Sequence, residues 1–371
     1  MGLTMALRGL FARFGRAEQT IARPVRGPRD HIIIIDGTMS SLADGCETNA
    51  GLTYKLLREA ADWSGSSIRY EGGVQWQTWR HTMDIIEGRG INRQIRRMYG
   101  FLASRYRPGD RIFLFGYSRG AYAVRSLAGV IDRVGLVRAE HATERNIRIA
   151  YRHYERAVCG SAHKAFVRKF CHADAPIEMI GVWDTVKALG FRAPIAWRFA
   201  ERQHAFHNHA LGPAIRHGYH ALALDETREA FAPVLWECPE NWTGRAEQVW
   251  FRGTHGDVGG QLSGYEAARP LANIPLVWML ERAEACGLAL PAGWRARFPM
   301  DPDAPSIGTY QGWGKFFLFR SRRIVGRDRS ESIHPTAAVA THRPNFREQL
   351  MRVGRTGVAG LRASLTSRYK S

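Results

Sequence analysis

Three residues far apart in the sequence, Ser118, Asp184 and His255, have the side-chain types that nucleophilic catalysis uses. A serine hydroxyl becomes a strong nucleophile when a histidine removes its proton, and a carboxylate holds that histidine in the right orientation. The three occur in the chain order serine, acid, histidine, which is one of the known orders for such a triad. The pattern predicts acyl transfer at Ser118 if the fold brings the side chains together.

The surroundings of Ser118 match a nucleophile elbow, a sharp turn between a strand and a helix. An apolar run over 112–115 leads into Gly116-Tyr117-Ser118-Arg119-Gly120, a G-x-S-x-G sequence, and a helix-compatible stretch follows over 121–134. Gly116 and Gly120 are expected because a Cβ on either side of so tight a turn would clash. We expect the strained turn to lift the Ser118 hydroxyl above the sheet edge and to aim the backbone N–H of Arg119 at the same position. The alternative is a structural turn serine.

The proposed partners of Ser118 both follow predicted strands. Residues 177–183 read as a strand with Asp184 at its carboxyl end, and residues 248–251 read as a strand before a glycine-rich turn with His255. Ligand-facing groups of open α/β sheets lie at this end of the strands. Asp257 is the rival carboxylate, and we expect it to support the turn through local backbone bonds. Asp184 could instead cap its strand, and His255 could be a turn residue bonded to backbone.

A second oxyanion donor is expected after the first strand. Residues 32–35 are four isoleucines, as in a strand buried on both faces, and Asp36-Gly37-Thr38 follow. A backbone N–H of Gly37 or Thr38 beside that of Arg119 would stabilise a tetrahedral intermediate. Asp36 either supports this turn or simply initiates it.

No metal or other cofactor is predicted. His204, His207 and His209 superficially resemble a metal cluster, but no Cys or Glu joins them at ligand spacing. The five cysteines contain no C-x-x-C pair, which argues against a disulfide framework or zinc site and fits a reducing compartment.

The motifs together resemble a bacterial α/β-hydrolase-like domain family that includes the catalytic domains of type VI secretion phospholipase effectors. The resemblance spans roughly residues 30–345, in the order 36–38, 88–92, 106–110, 111–129, 181–186, 219–226, 250–260 and 333–335. It implies lipid ester hydrolysis by a triad of Ser118, Asp184 and His255. It also implies an α/β fold with a mostly parallel sheet, helices on both faces and cap insertions.

The net charge of +19 is concentrated in three stretches, residues 1–30, 320–329 and 347–371. Such surfaces attract anionic lipid headgroups or nucleic acid. Nucleic acid is not expected, because no recognised binding signature accompanies the arginines. Near the N-terminus, apolar residues recur at helical spacing, and most of the arginines lie outside the stripe that they form. The pattern indicates either a helix that lies in a membrane interface or a helix docked on its own domain. The stripe consists of Leu3, Leu7, Leu10, Phe11 and Phe14.

We predict three regions along the chain. Residues 1–30 are a basic extension, residues 31–345 the catalytic body and residues 346–371 a basic tail. Two segments rich in Arg, His and aromatic residues, 138–176 and 187–217, interrupt the strand–helix rhythm and are interpreted as a cap over the active site. No signal peptide or apolar run of membrane-spanning length is recognised, which predicts a cytoplasmic protein, peripheral membrane contact or export by another route.

Three functions remain in competition. The leading one is a serine hydrolase acting on phospholipids or other lipid esters. A carboxylesterase for small soluble esters would use the same triad, and the basic ends would have no part in its function. A catalytically silent domain that binds a membrane or a partner through those ends is the third.

Overall fold

The computed structural model describes residues 26–73, 89–156, 160–186, 210–310, 317 and 319–339. In these residues one seven-stranded sheet has the order β2-β1-β3-β4-β5-β6-β7, and every neighbouring pair is parallel. The strands are β1 (Asp30–Ile35), β2 (Ser67–Glu71), β3 (Arg111–Tyr117), β4 (Ile177–Trp183), β5 (Ile215–Ala223), β6 (Arg245–Phe251) and β7 (Glu331–Ile333). The predicted α/β class with a parallel sheet is confirmed.

Helices surround the sheet. In chain order they are α1 (Asn49–Ser64), α2 (Arg89–Ala103), α3 (Arg119–Val134), α4 (Glu144–Arg156), α5 (Ser161–Phe170), α6 (His255–Gly259), α7 (Arg269–Ala285) and α8 (Pro335–Val339). Short 3₁₀ turns occupy Ala139–His141, Glu229–Phe231, Glu266–Ala268 and Trp294–Arg297. The helix-compatible stretch over 121–134 corresponds to α3, which begins two residues earlier and ends at the same residue.

The isoleucines of β1 show how the sheet is covered. Successive strand side chains point to opposite faces, so Ile33 and Ile35 join one apolar cluster while Ile32 and Ile34 join another. The first cluster contains side chains of α2, α3 and α4, and the second contains side chains of α1 and α7. All four isoleucines are buried, so the expectation of a strand covered on both faces is confirmed.

Residues 138–176 differ from the predicted cap. They form α4 and α5, which extend the helical layer on α2 and α3. Ile147, Tyr151 and Tyr154 recur at helical spacing, and Tyr154 lies against Gly129 in the second half of α3, away from Ser118 at its start. An apolar stripe of this kind is buried against neighbouring helices rather than left over a polar cleft. Of the second predicted cap segment, residues 187–209 lie outside the described residues, and β5 begins at Ile215.

The boundary predicted after residue 30 lies within the folded body. The Arg26 guanidinium contacts both carboxylate oxygens of Asp110 at 2.9 and 2.6 Å, and Asp30 is already the first residue of β1. Residues 1–25, which include the apolar stripe, and the tail 346–371 lie outside the described residues.

In the described part of the chain four cysteines are free thiols, Cys46, Cys171, Cys238 and Cys286. None of the helices in this part combines the length and apolar composition that a membrane crossing needs.

Candidate active site

The turn at Ser118 has the geometry of an elbow. β3 ends at Tyr117, α3 begins at Arg119, and Ser118 between them has φ 58° and ψ −120°, a conformation that non-glycine residues rarely adopt. A Cβ on Gly116 would lie 2.7 Å from the Cα of Ala121, and one on Gly120 would lie 2.1 Å from a backbone oxygen of β1. Glycine at both positions is therefore a steric requirement.

The structure brings the three predicted side chains together. Asp184 directly follows β4, and His255 begins α6 just after β6, so both lie at the same edge of the parallel sheet as Ser118. The Ser118 Oγ is 2.9 Å from His255 Nε2, and His255 Nδ1 is 2.6 Å from Asp184 Oδ2. These two contacts form a continuous path for a proton from the hydroxyl to the imidazole, whose other nitrogen is held by the carboxylate.

Asp184 is fully buried and has three donors besides His255. Its Oδ1 accepts from the Ala223 N–H at 3.0 Å and from Arg323 Nη1 at 2.5 Å, and its Oδ2 accepts from Arg323 Nη2 at 2.9 Å. Burial alone raises the pKa of Asp184, but the Arg323 charge and the bonds from His255 and Arg323 hold that pKa well below its usual range. The carboxylate is therefore anionic and fixed on both oxygens.

Arg323 is a site residue that the sequence did not indicate. It belongs to the basic stretch 320–329 that was interpreted as surface charge, yet its side chain is only 4% exposed. That interpretation is wrong for Arg323. Its pairing with Asp184 joins residues 139 positions apart, and no local pattern distinguishes it from the exposed Arg322 beside it.

Asp257 supports the histidine turn, and the two ring nitrogens of His255 bond to Asp184 and Ser118 instead. Thr254 and Asp257 form a capping box at the start of α6, in which Asp257 Oδ2 accepts from the Thr254 N–H at 2.7 Å. The same carboxylate accepts from Ser306 Oγ at 2.6 Å and from the Ile307 N–H at 2.9 Å. It therefore connects α6 to a later loop, in keeping with the supporting role expected from the sequence.

The imidazole of His255 lies between two aromatic rings. Its centroid is 4.9 Å from that of Tyr117 and 4.8 Å from that of Phe231, which in turn lies 5.4 Å from Phe317. The backbone N–H of His255 donates to the buried Glu226 carboxylate at 3.2 Å. This apolar surround limits the access of water to the ring, which strengthens the electrostatic contacts within the site.

The loop after β1 lies beside the serine. A Cβ on Gly37 would lie 3.3 Å from the Ser118 Cβ, so this backbone approaches the nucleophile closely. The Gly37 N–H donates to Asp36 Oδ1 at 2.6 Å, whereas the Thr38 N–H has no acceptor among the described residues. Of the two predicted second donors, Thr38 is the one whose N–H is unbonded within the part of the chain that the structure describes.

The Asp36 side chain accepts hydrogen bonds that hold the loop after β1 in place. Besides the Gly37 N–H it accepts from Thr48 Oγ1 at 2.6 Å and from the Tyr70 hydroxyl at 2.8 Å. It has no cationic partner among the described residues, and burial raises its pKa to about 6 against the opposing effect of these bonds. Asp36 therefore positions the predicted oxyanion loop.

A buried histidine lies behind Asp184. His220 Nε2 accepts from the Thr185 N–H at 3.1 Å, and burial lowers the pKa of His220 to about 3, so the ring is neutral. The sequence indicated residues 219–226 only as one of the segments that carry the family resemblance. Its contact fixes the backbone that carries Asp184.

The residues that the structure describes contain no group of three or more metal-ligating side chains. His204, His207 and His209 lie outside them. The Arg119 guanidinium has no hydrogen-bond or ion-pair partner among the described residues, and burial lowers its pKa to about 10.

Comparisons find known proteins that are similar to parts of this chain. The uncharacterized protein YEL023C of Saccharomyces cerevisiae is 26% identical over 229 residues, covering 54% of this chain and 31% of the yeast protein. A crystal structure of an uncharacterized Pseudomonas aeruginosa protein aligns with a TM-score of 0.45 and 17% identity, covering 80% of this chain and 51% of that one. The Tle1 effector bound to the VgrG spike of the type VI secretion system aligns with a TM-score of 0.34 and 18% identity, covering 64% and 52%.

The chain thus spans about a third of the yeast relative and about half of each of these solved chains. The family model for the Tle1-like type VI secretion phospholipase effector catalytic domain matches residues 29–282, which is more than half of the chain and includes Ser118, Asp184 and His255. The chain therefore belongs to the Tle1-like phospholipase effector catalytic domain family, a family of lipid ester hydrolases.

Proposed function

We propose that the protein is a serine hydrolase that cleaves carboxylic ester bonds of phospholipids or related lipids through an acyl-enzyme. The observation that carries the proposal is the unbroken contact path from Ser118 Oγ to His255 Nε2 at 2.9 Å and from His255 Nδ1 to Asp184 Oδ2 at 2.6 Å. Family membership supports a lipid ester as the substrate class.

In the first half-reaction His255 Nε2 takes the Ser118 proton while Oγ attacks the ester carbonyl carbon. Asp184 stabilises the imidazolium that forms and keeps Nδ1 protonated. The carbonyl oxygen becomes an oxyanion that accepts from the Arg119 and Thr38 N–H groups. His255 then donates its proton to the leaving alcohol oxygen, and the acyl group remains on Ser118.

In the second half-reaction a water replaces the alcohol. His255 removes a proton from this water, which attacks the acyl carbonyl, and the same two N–H groups hold the second oxyanion. Collapse of that intermediate returns the proton to Ser118 Oγ and releases the fatty acid.

Arg119 favours an anionic lipid over a neutral ester. Its side chain follows the nucleophile directly and has no acceptor among the described residues. A half-buried cation with no acceptor among the described residues gains from an anionic partner, and guanidinium binds phosphate oxygens well. A phosphodiester headgroup would supply the missing anion.

The test is a hydrolysis screen with phospholipid vesicles and short p-nitrophenyl esters, using Ser118→Ala as the control. We expect wild-type hydrolysis of both classes and loss in S118A, with R119M slowing phospholipid cleavage more than p-nitrophenyl ester cleavage. Activity on soluble esters alone would support the carboxylesterase alternative. Wild-type activity equal to that of S118A on every substrate would support the silent domain.

Delivery and membrane contact are parts of the same proposal. The family description is that of a type VI secretion effector, which supports export by a route that needs no cleaved signal peptide. The arginine-rich ends support attraction to anionic headgroups.

A further inference from the structure

Asp184 is bonded by a residue from outside the part of the chain that defines the family. The family match ends at residue 282, whereas Arg323 comes from the following segment and contacts both oxygens of Asp184, at 2.5 and 2.9 Å. Both side chains are buried, with Arg323 4% exposed and Asp184 fully inaccessible. A buried bidentate pair in contact with the proposed catalytic histidine requires an explanation.

The geometry restricts the carboxylate to one orientation. A planar guanidinium fork bonds two carboxylate oxygens at once, which fixes rotation about the Cβ–Cγ bond. The Ala223 N–H holds Oδ1 from another direction at 3.0 Å. Oδ2 is then left facing His255 Nδ1 at 2.6 Å.

The same guanidinium also connects Asp184 to the wall beside His255. Nη1 donates to the Ala223 carbonyl at 2.8 Å, and Nη2 donates to the Phe231 carbonyl at 2.6 Å. The Phe231 ring contacts the His255 ring, with centroids 4.8 Å apart. One side chain therefore sets the position of the carboxylate and of an aromatic neighbour of the imidazole.

We propose that Arg323 is a positioning residue of the hydrolase, which fixes the Asp184 carboxylate toward His255 and keeps it ionised. This inference rests on the proposed function. It places a residue that the site requires in the segment that follows the family match. Arg323 does not touch substrate and acts through Asp184.

The charges around Asp184 give the expected pH response its sign. His255 and Arg323 contact the carboxylate directly, while Tyr117 and the neutral His220 lie close enough to interact with its charge. Glu226 lies beyond them, paired with Arg228. Without Arg323, the effects of its charge and of its hydrogen bonds, which lower the pKa of Asp184, are lost while the effect of burial remains, so that pKa rises. Protonation of Asp184 would then cost activity at a higher pH.

The test compares R323M and R323K with R322M, which removes the same charge from an exposed neighbouring arginine. The rate of hydrolysis of a soluble p-nitrophenyl ester is measured from about pH 5 to pH 9. We expect R323M to lower kcat about 100-fold with little change in KM, since a misplaced catalytic group costs on this order. The acid limb of its kcat/KM profile moves to higher pH. R323K, which keeps the charge but not the fork, moves this limb less.

A pH profile of R323M identical to that of R322M would overturn the inference. An equal loss of activity in R323M and R323K with no shift of the acid limb would also overturn it. If R323M does not fold, an R323K profile identical to that of R322M, or a loss of activity in R323K without a shift of the acid limb, overturns the inference. A wild-type protein that hydrolyses no ester would contradict the proposed function instead.

A stability cycle tests the pair without any assay of activity. Urea unfolding is measured for wild type, R323M, D184N and the double variant. We expect the double variant to be less destabilised than the sum of the single variants, because each single change leaves a buried group without its partner. Additive effects would overturn the inference.

Discussion

Replacing Asp184 with asparagine tests the orientation of the proposed triad. The change preserves the size of the side chain but exchanges one oxygen for an NH₂ group. Oδ1 accepts from Arg323 Nη1 and the Ala223 N–H, whereas Oδ2 accepts from Arg323 Nη2 and His255 Nδ1. An NH₂ at the Oδ1 position would therefore face two obligatory donors.

The NH₂ group is expected at the Oδ2 position, where it faces one obligatory donor and His255 Nδ1. It then donates to Nδ1, which places the imidazole proton on Nε2. In this tautomer Nε2 cannot accept the Ser118 proton across their 2.9 Å contact. Loss of the correct tautomer costs on the order of 10⁴-fold in kcat, or about 5.4 kcal/mol at 1.36 kcal/mol per factor of ten.

The assay is steady-state hydrolysis of a p-nitrophenyl ester at neutral pH, with circular dichroism to check folding. Asp132→Asn is the matched control, because Asp132 accepts a backbone N–H at 2.9 Å near the far end of α3 and has no described contact with the triad. We expect D132N to retain near wild-type kcat. A folded D184N that keeps more than about a tenth of wild-type kcat would refute the tautomer argument.

Three further predictions concern other parts of the molecule. Gly120→Ala places a Cβ 2.1 Å from the Ile35 carbonyl oxygen. We therefore expect a loss of activity and, in urea titrations, a loss of about 1–3 kcal/mol of unfolding free energy. An unchanged midpoint of urea unfolding would contradict the steric argument. Since the folded state holds the Asp36 proton up to about pH 6 and the unfolded chain releases it near pH 4, wild-type stability relative to D36N falls by about 1–3 kcal/mol as pH rises through this window. A difference that stays constant or grows would show that Asp36 is ionised throughout. Deletion of residues 1–25 spares the Arg26 contact with Asp110. We expect it to weaken binding to anionic vesicles at low salt and to leave the hydrolysis of a soluble ester unchanged. Equal vesicle binding by the wild type and the deletion variant would leave the N-terminal stripe without a membrane role.

Much of the site was predictable because local sequence controls it. The apolar run and glycines around Ser118 encode a strand and a tight turn within a few residues. Asp184 and His255 follow recognisable strands, and parallel strands place their carboxyl ends at one edge. The isoleucines of β1 predicted a strand buried on both faces because only a doubly covered position tolerates a continuous apolar run.

The remainder depends on contacts between distant segments. Arg323 could not be separated from Arg322 by sequence, because the direction of each side chain is set by the path of a segment without regular structure. The proposal of Thr38 rather than Gly37 as the second oxyanion donor depends on the bond from the Gly37 N–H to Asp36. Residues 138–176 were misplaced because a composition rich in Arg and aromatic residues fits an outer helical layer as well as a cap.

The central claim is that Ser118 is an activated nucleophile, and labelling with a fluorophosphonate probe tests it most directly. The folded wild-type protein is treated at neutral pH, and the modified residue is located by peptide mass spectrometry, with S118A and D184N in parallel. We expect modification of Ser118 in the wild type, much slower modification in D184N and none in S118A. Absence of wild-type labelling, or labelling at another residue that persists in S118A, would contradict it.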